Sequence, residues 1–185
     1  MASSPPPLPR QAIRCLSWNV WAHYIVSGKG VHARLQAAAA TAASTGADVV
    51  LVQELFQGKL GLLSFTGYTA TMAAAMAKAG FGHHTRLDAT RPWVVGQSSG
   101  LAVFSKFPLS EEEHVTFTTS GERLNTKGFV RVRVGAPAPF YAINTHLDSR
   151  SNAVKRLQWA ELVAHVATLP ASAPLVVAGD FNVCQ

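Results

Sequence analysis

The sequence predicts an α/β protein in which mixed sheets are layered with helices. Three observations carry this reading. The runs "DVVLVQEL" and "PLVVAGDFNV" are apolar and β-branched without alternation, as strands covered on both faces are. Two helical stretches lie among the strands, one Ala-rich and one amphipathic. Between them, "KGFVRVRVG" and "FYAINTHL" flank a Gly135–Pro139 turn and read as a hairpin. Strands alternating with helices around a hairpin give mixed sheets.

The ordered domain is expected over residues 11–185, behind a Pro-rich disordered tail, "MASSPPPLPR", over residues 1–10. "AIRCLSW" is the first short strand, and "NVWAHYIVSGKG" the loop after it. "VHARLQAAAATAAST" has strong helix propensity, and Gly46 and Asp48 end it. "GYTATMAAAMAKAG" fits either a strand followed by a helix or one loose helix. "GHHTRLDATRPWVVGQSSG" is rich in turn residues and reads as a loop. "GLAVFSKFP" is a strand ended by Pro108. In "KGFVRVRVG" apolar and basic residues alternate, giving one core face and one solvent face. In "SNAVKRLQWAELVAHVATL", residues Val154, Leu157, Trp159, Leu162, Val163 and Val166 lie near helical spacing. Ser151 or Asn152 is the expected N-cap, and Pro170 and Pro174 end the helix.

A length of 185 residues fits one domain, and 48% apolar with 14% charged residues is a globular composition. The net charge of +6 points to an anionic partner: nucleic acid, an acidic membrane surface or a phosphorylated substrate. A plain basic surface is the other reading. Two cysteines at opposite ends, Cys15 and Cys184, are no disulfide framework and are expected as buried free thiols. The N-terminus lacks the basic start and apolar run of a secretory signal. No stretch reaches the roughly 18–20 apolar residues of a membrane span. A cytoplasmic or membrane-peripheral protein is therefore expected.

Four strands end in polar residues: Trp18-Asn19, Gln53-Glu54, His146, and Asp180 with Asn182. Strand ends gathered on one side of a sheet are a common place for sites. Glu54 offers a hard oxygen ligand for Mg²⁺, and Asn19 and Asp180 are the groups that could reach the same ion or its waters. Each residue also has a plain structural reading. A glutamate after a strand caps helices, Asn19 and Asp180 stabilise turns, and a histidine can be a satisfied core residue. Their ordered occurrence at the ends of separate strands favours the site.

The set "SWNVWA", "VVLVQELF", "SGLAVFSKFP", "NTHLD" and "GDFNV" resembles the endonuclease/exonuclease/phosphatase superfamily, the metal-dependent phosphodiesterases of DNase I-like fold. "SSGLAVFSKFP", "LNTKGFVRVRV" and "THLD" followed by a helix lean toward the neutral and bacterial-type sphingomyelinases. The resemblance implies a DNase I-like α/β sandwich of two mixed sheets flanked by helices. It implies Mg²⁺ as cofactor, with Mn²⁺ as the other candidate. Glu54 would bind the ion, with Asn19 beside it contacting metal or phosphate. His146 would face the phosphate, Asp180 would orient the attacking water, and Asn182 would hold a phosphate oxygen. Lys127 lies in the Lys-Gly element, with a solvent-facing lysine as the alternative.

The implied substrate is a phosphodiester, sphingomyelin at a membrane surface, cleaved to ceramide and phosphocholine. Trp21 and Tyr24, with Ile25, would meet the lipid interface, or else pack in the core. A nuclease acting on nucleic acid is the runner-up, because basic charge suits phosphate backbones; Arg131, Arg133 and the Lys155-Arg156 pair form no clear basic stripe. A non-catalytic binding relative is the third reading. The family's C-terminal Asp-His pair, with the His as general base, has no counterpart, since His165 lies within a helix before the Asp180 strand. The domain thus reads as C-terminally incomplete. Residues 1–185 are expected to turn over a phosphodiester weakly or not at all with Mg²⁺, and an assay giving full family rates would overturn that expectation.

Overall fold

A computed structural model describes residues 12–24, 27–60, 62–87, 96–121 and 126–183. The Pro-rich tail, Ile25 and Cys184 lie outside the described residues. The elements in chain order are β1 (Cys15–Ala22), α1 (Val31–Ser44), β2 (Val49–Leu55), β3 (Gly58–Leu60), β4 (Leu63–Phe65), α2 (Gly67–Lys78), β5 (His83–His84), β6 (Gly96–Gln97), β7 (Ala102–Ser105), β8 (Leu109–Thr116), β9 (Gly128–Val134), β10 (Phe140–His146), α3 (Asn152–Val166) and β11 (Leu175–Asp180).

Two four-stranded mixed sheets stack face to face, as the α/β sandwich expectation requires. The first has the order β1-β2-β7-β5, with β1 and β2 parallel and the other pairs antiparallel. The second has the order β11-β10-β9-β8, with β10 and β11 parallel and the other pairs antiparallel. A small antiparallel sheet, β4-β3-β6, stands beside them.

Period-two burial sorts the side chains into three apolar layers. Val50 and Val52 of β2 meet Leu35, Ala38 and Ala42 of α1 and Met72 and Met76 of α2. Val49 and Leu51, on the opposite face, meet Val130, Val132 and Ala142 of the second sheet. Phe129 and Ile143, on that sheet's outer face, pack with Leu162 of α3. Because β2 feeds two layers, it has no polar face, which is why its sequence lacks alternation.

A polar bridge crosses the layer between the sheets. Buried Asn144 of β10 donates through Nδ2 to the carbonyls of Val52 (2.7 Å) and Ala102 (2.9 Å). Its Oδ1 accepts from Gln53 Nε2 at 2.7 Å. Val52 and Ala102 are the last register partners of the β2–β7 ladder, so Asn144 satisfies carbonyls at the point where that pairing ends.

Several expectations needed correction. Cys15 is exposed, because it opens β1, the edge strand of the first sheet. β11 is half-buried along its length, because among the described residues it pairs only with β10. On α3 only Gln158 and Leu162 are buried, while Leu157, Trp159 and Val163 are exposed. Ser151 does cap that helix, its hydroxyl accepting from Val154 N. Residues 67–78 form one helix, and the supposed loop after it contributes β5 and β6. β3, β4 and β8 were not anticipated. In β8, "LSEEEHVT", the acidic run hides the strand, and cross-strand pairs such as Glu113 with Arg131 at 3.0 Å stabilise it. No helix among the described residues is long and apolar enough to cross a membrane.

Replacing Asn144 by Ala strands two buried carbonyls at about 1–3 kcal/mol each. Urea unfolding should show a loss of about 2–6 kcal/mol for Asn144→Ala, against almost none for the exposed Ser110→Ala.

Candidate active site

The strand registers bring the polar strand ends together. His146 and Asp180 are partners across β10 and β11, and Gly128 is the partner of His146 on β9, so Lys127 arrives one residue away. Asn19 is the partner of Gln53 on β1 and β2.

Glu54 needs one further step. Gln53 points toward the second sheet, so regular alternation would send Glu54 toward the helices. Glu54 instead adopts φ 58°, and the β1–β2 register shifts between Asn19 and Ala22. This bulge swings Glu54 to the side of Asn19. Trp21 (φ 49°) and Asn182 (φ 51°) share the left-handed conformation, which costs roughly 1–2 kcal/mol for a non-glycine residue. Gly100 accommodates the bulge. It lies at φ +67°, its carbonyl accepts from Leu55 N at 2.9 Å, and a Cβ there would meet Phe56 at 2.9 Å and Glu54 Cα at 3.1 Å. Gly179 permits the close pairing that sets Asp180 beside His146, since a Cβ at that position would sit 2.0 Å from the Thr145 carbonyl oxygen.

The resulting cluster is compact. Asn19 Nδ2 donates to Glu54 Oε1 at 2.8 Å and to Asp180 Oδ2 at 2.9 Å. Asn19 Oδ1 accepts from Trp21 N, which fixes the amide's orientation. His146 Nε2 lies 3.9 Å from each of the same two carboxylate oxygens. One ligand atom each from Glu54, His146 and Asp180 falls within 4.8 Å of the others, a spacing that one metal ion spans.

Lys127 is buried, and its Nζ lies 3.0 Å from His146 Nε2. One of the two nitrogens must accept in that bond. The solvent-facing alternative for Lys127 is thereby removed.

Asp180 feels opposing influences. Burial, the largest, disfavours its charged form. The Asn19 amide, the Asn182 N–H (3.0 Å to Oδ1) and the positive His146–Lys127 pair outweigh burial and hold the carboxyl below the ordinary aspartate range.

The remaining expected residues are placed differently. Asn182 gives its Nδ2 to the Leu147 carbonyl at 2.9 Å, so its side-chain donor serves the turn after β11. Tyr24 stacks on Tyr68 with ring centres 4.3 Å apart, and its hydroxyl accepts from Tyr68 N. Trp21 is exposed, with the Arg34 guanidinium 5.7 Å over its ring. His165 lies away from the cluster, 3.6 Å from Glu113. The supporting residue that sequence reasoning missed is Asn144. The only signal was a lone amide inside an otherwise apolar strand.

A folded-state carboxyl with a lowered pKa contributes stability that is complete above the ordinary carboxylate range and is lost as pH falls through the lowered value. Asn19→Ala removes the shared donor. Asp180 should then titrate nearer the ordinary range, as read by carboxyl NMR, and the acid-unfolding midpoint should move to higher pH.

Comparison with known proteins bears on the fold and the family. No curated protein gives a significant sequence match. Among solved structures, sphingomyelinase C from Streptomyces griseocarneus superposes with a TM-score of 0.74 at 22% identity, over 92% of this chain and 64% of that one. A beta toxin variant from Staphylococcus aureus, solved with bound magnesium ions, gives 0.73 at 19% identity, over 91% and 64%. An endonuclease/exonuclease/phosphatase from Beutenbergia cavernae gives 0.70 at 25% identity, over 92% and 47%. The chain thus spans about half to two thirds of the length of these relatives, and the likenesses establish the DNase I-like fold. The profile of the Endonuclease/Exonuclease/phosphatase family matches residues 16–185, and the chain belongs to that family.

Proposed function

We propose that this site belongs to a Mg²⁺-dependent phosphodiesterase whose substrate is sphingomyelin, cleaved to ceramide and phosphocholine. The observation that carries the reading is the convergence of Glu54 and Asp180, from different sheets, on one Asn19 amide beside a buried His146–Lys127 pair. The likeness to sphingomyelinase structures supports the lipid substrate.

The donor set fits magnesium. Glu54 Oε1 and Asp180 Oδ2 are hard oxygens, and they would hold the ion between them, with substrate phosphate and water completing its shell. Manganese would fit the same donors. When bound, the ion withdraws charge from the phosphate and steadies the leaving oxygen.

The protein's own groups supply the rest. Asp180 stays ionised at neutral pH and has Oδ1 tied to Asn182 N–H, so Oδ2 is the oxygen that faces the site and can hold a water by its hydrogen. His146 and Lys127 offer a positive charge and N–H donors to a phosphoryl oxygen as its charge grows, an effect commonly worth about 3 kcal/mol per donor. Asn19 keeps two like charges at hydrogen-bond distance from one amide and so prepares the carboxylates for a cation.

The nuclease reading has less support. Arg131 and Arg133 are paired with Glu113 (3.0 Å) and Glu111 (3.5 Å), and Arg86 with Glu112 (3.2 Å). Much of the basic charge on the second sheet is therefore neutralised before any polyanion arrives.

The test is phosphocholine release from sphingomyelin vesicles, with plasmid nicking run in parallel. Because no second histidine is present beside Asp180 among the described residues to act as general base, the expected result is at most a low Mg²⁺-dependent release, which EDTA abolishes and which Glu54→Gln reduces to background through loss of the metal contact. Preferential nicking of DNA would overturn the lipid assignment. A second measurement does not depend on turnover: Mg²⁺ should raise the melting temperature of the wild-type chain but not of Glu54→Gln or Asp180→Asn.

A further inference from the structure

We propose that the β3–β4 hairpin is a lipid-insertion element that sets the site against a bilayer surface. Leu62 is 85% exposed and Leu63 62%, with Leu60 and Phe65 also exposed. Apolar side chains this open, four within six residues, are not ordinary surface scatter.

The hairpin is held in place at its base. Tyr24 stacks on Tyr68 and lies 5.7 Å from the Phe65 ring, and Gly58 fits closely beside Phe65 and Tyr24. β3 pairs with β6, whose Gln97 carbonyl accepts from Thr126 Oγ1, next to Lys127. β3 also begins four residues after Glu54. The protruding leucines are thus fixed to the end of the molecule that carries the site, and exposed Trp21 lies two residues from Asn19 on that same end.

Two features favour lipid over a protein partner. All three residues of β4, Leu63, Ser64 and Phe65, are exposed, so both faces of the strand are open. A protein docking on a strand covers one face, whereas a bilayer surrounds an inserted edge. The second feature is charge: the sequence holds no aspartate or glutamate between residues 55 and 87, in a chain of net charge +6. That complements an anionic membrane surface. The role given to this contact rests on the proposed lipid substrate, but the binding itself does not.

The test keeps the two apart. The full chain is floated with phosphatidylcholine vesicles, with and without phosphatidylserine, in EDTA and without sphingomyelin. Wild type should float with the vesicles, more strongly with phosphatidylserine. The double variant Leu62→Asp/Leu63→Asp should lose at least about tenfold in partition, while its melting temperature and its Mg²⁺ stabilisation stay at wild-type values. Leu62→Trp should shift its emission to the blue on vesicles and be quenched by brominated lipid. Absence of flotation, equal flotation of the double variant, or a dimer that the double variant dissolves would overturn the proposal. Failure of phosphocholine release with flotation intact would instead count against the substrate assignment alone.

Discussion

One amide joins the two halves of the sandwich at the place where chemistry is concentrated. Asn19 stands on the first sheet and donates both hydrogens of its side chain, one to Glu54 of the same sheet and one to Asp180 of the second. Two carboxylates drawn to within reach of one donor repel each other across a short gap, and a cation is the natural relief. The Asn19 amide and the Asn182 N–H outweigh burial and favour the ionised form of Asp180, and the neighbouring His146 and Lys127 add to their effect. The positions of the strand ends, the register shift between β1 and β2 and the spacing of the sheets all bear on whether those few hydrogen bonds can form.

The framework behind the amide is stiff, and the residues in front of it are strained. Asn144 and Gln53 tie the sheets together through buried hydrogen bonds directly beneath the site, where slippage of one sheet past the other would break contacts in a low-dielectric interior. Trp21, Glu54 and Asn182 accept left-handed backbone conformations. Such strain persists only where the surroundings over-determine it. Here Gly100 gives β2 room at Glu54, and the turn at Asn182 is closed by Asp180, Leu147 and the Lys155 ammonium, whose Nζ lies 2.6 Å from the Asn182 carbonyl.

Much of this was legible in the residues themselves. The buried strand β2, the hairpin of β9 and β10, the Ala-rich helix α1 and the Ser151 cap all follow from local pattern, as do sheets layered with helices, and the resemblance supplied the two-sheet sandwich. The order of polar strand ends marked Asn19, Glu54, His146 and Asp180, which the fold does bring together. Other features depend on partners distant in sequence. Lys127 is left between a Lys-Gly site element and a solvent-facing position until the Gly128–His146 register brings it, buried, against His146. β8 goes unread because its acidic run becomes a strand only with Arg131 and Arg133 across from it. The apolar positions of α3 predict a core face, yet only Leu162 among its large apolar side chains is buried, because the helix lies on one sheet along a narrow seam.

The hydrogen bond from Asn19 to Asp180 closes a loop of 161 residues. Bringing such distant groups together carries a loop-closure entropy that must be met before the contact returns anything. Helices α1 and α2 and their sheet contain the first half of the chain and can assemble as it emerges from the ribosome. The paired carboxylates cannot, because Asp180 stands on β11, which follows every other described strand in the sequence. The pair therefore comes into being only when the second sheet has docked on the first.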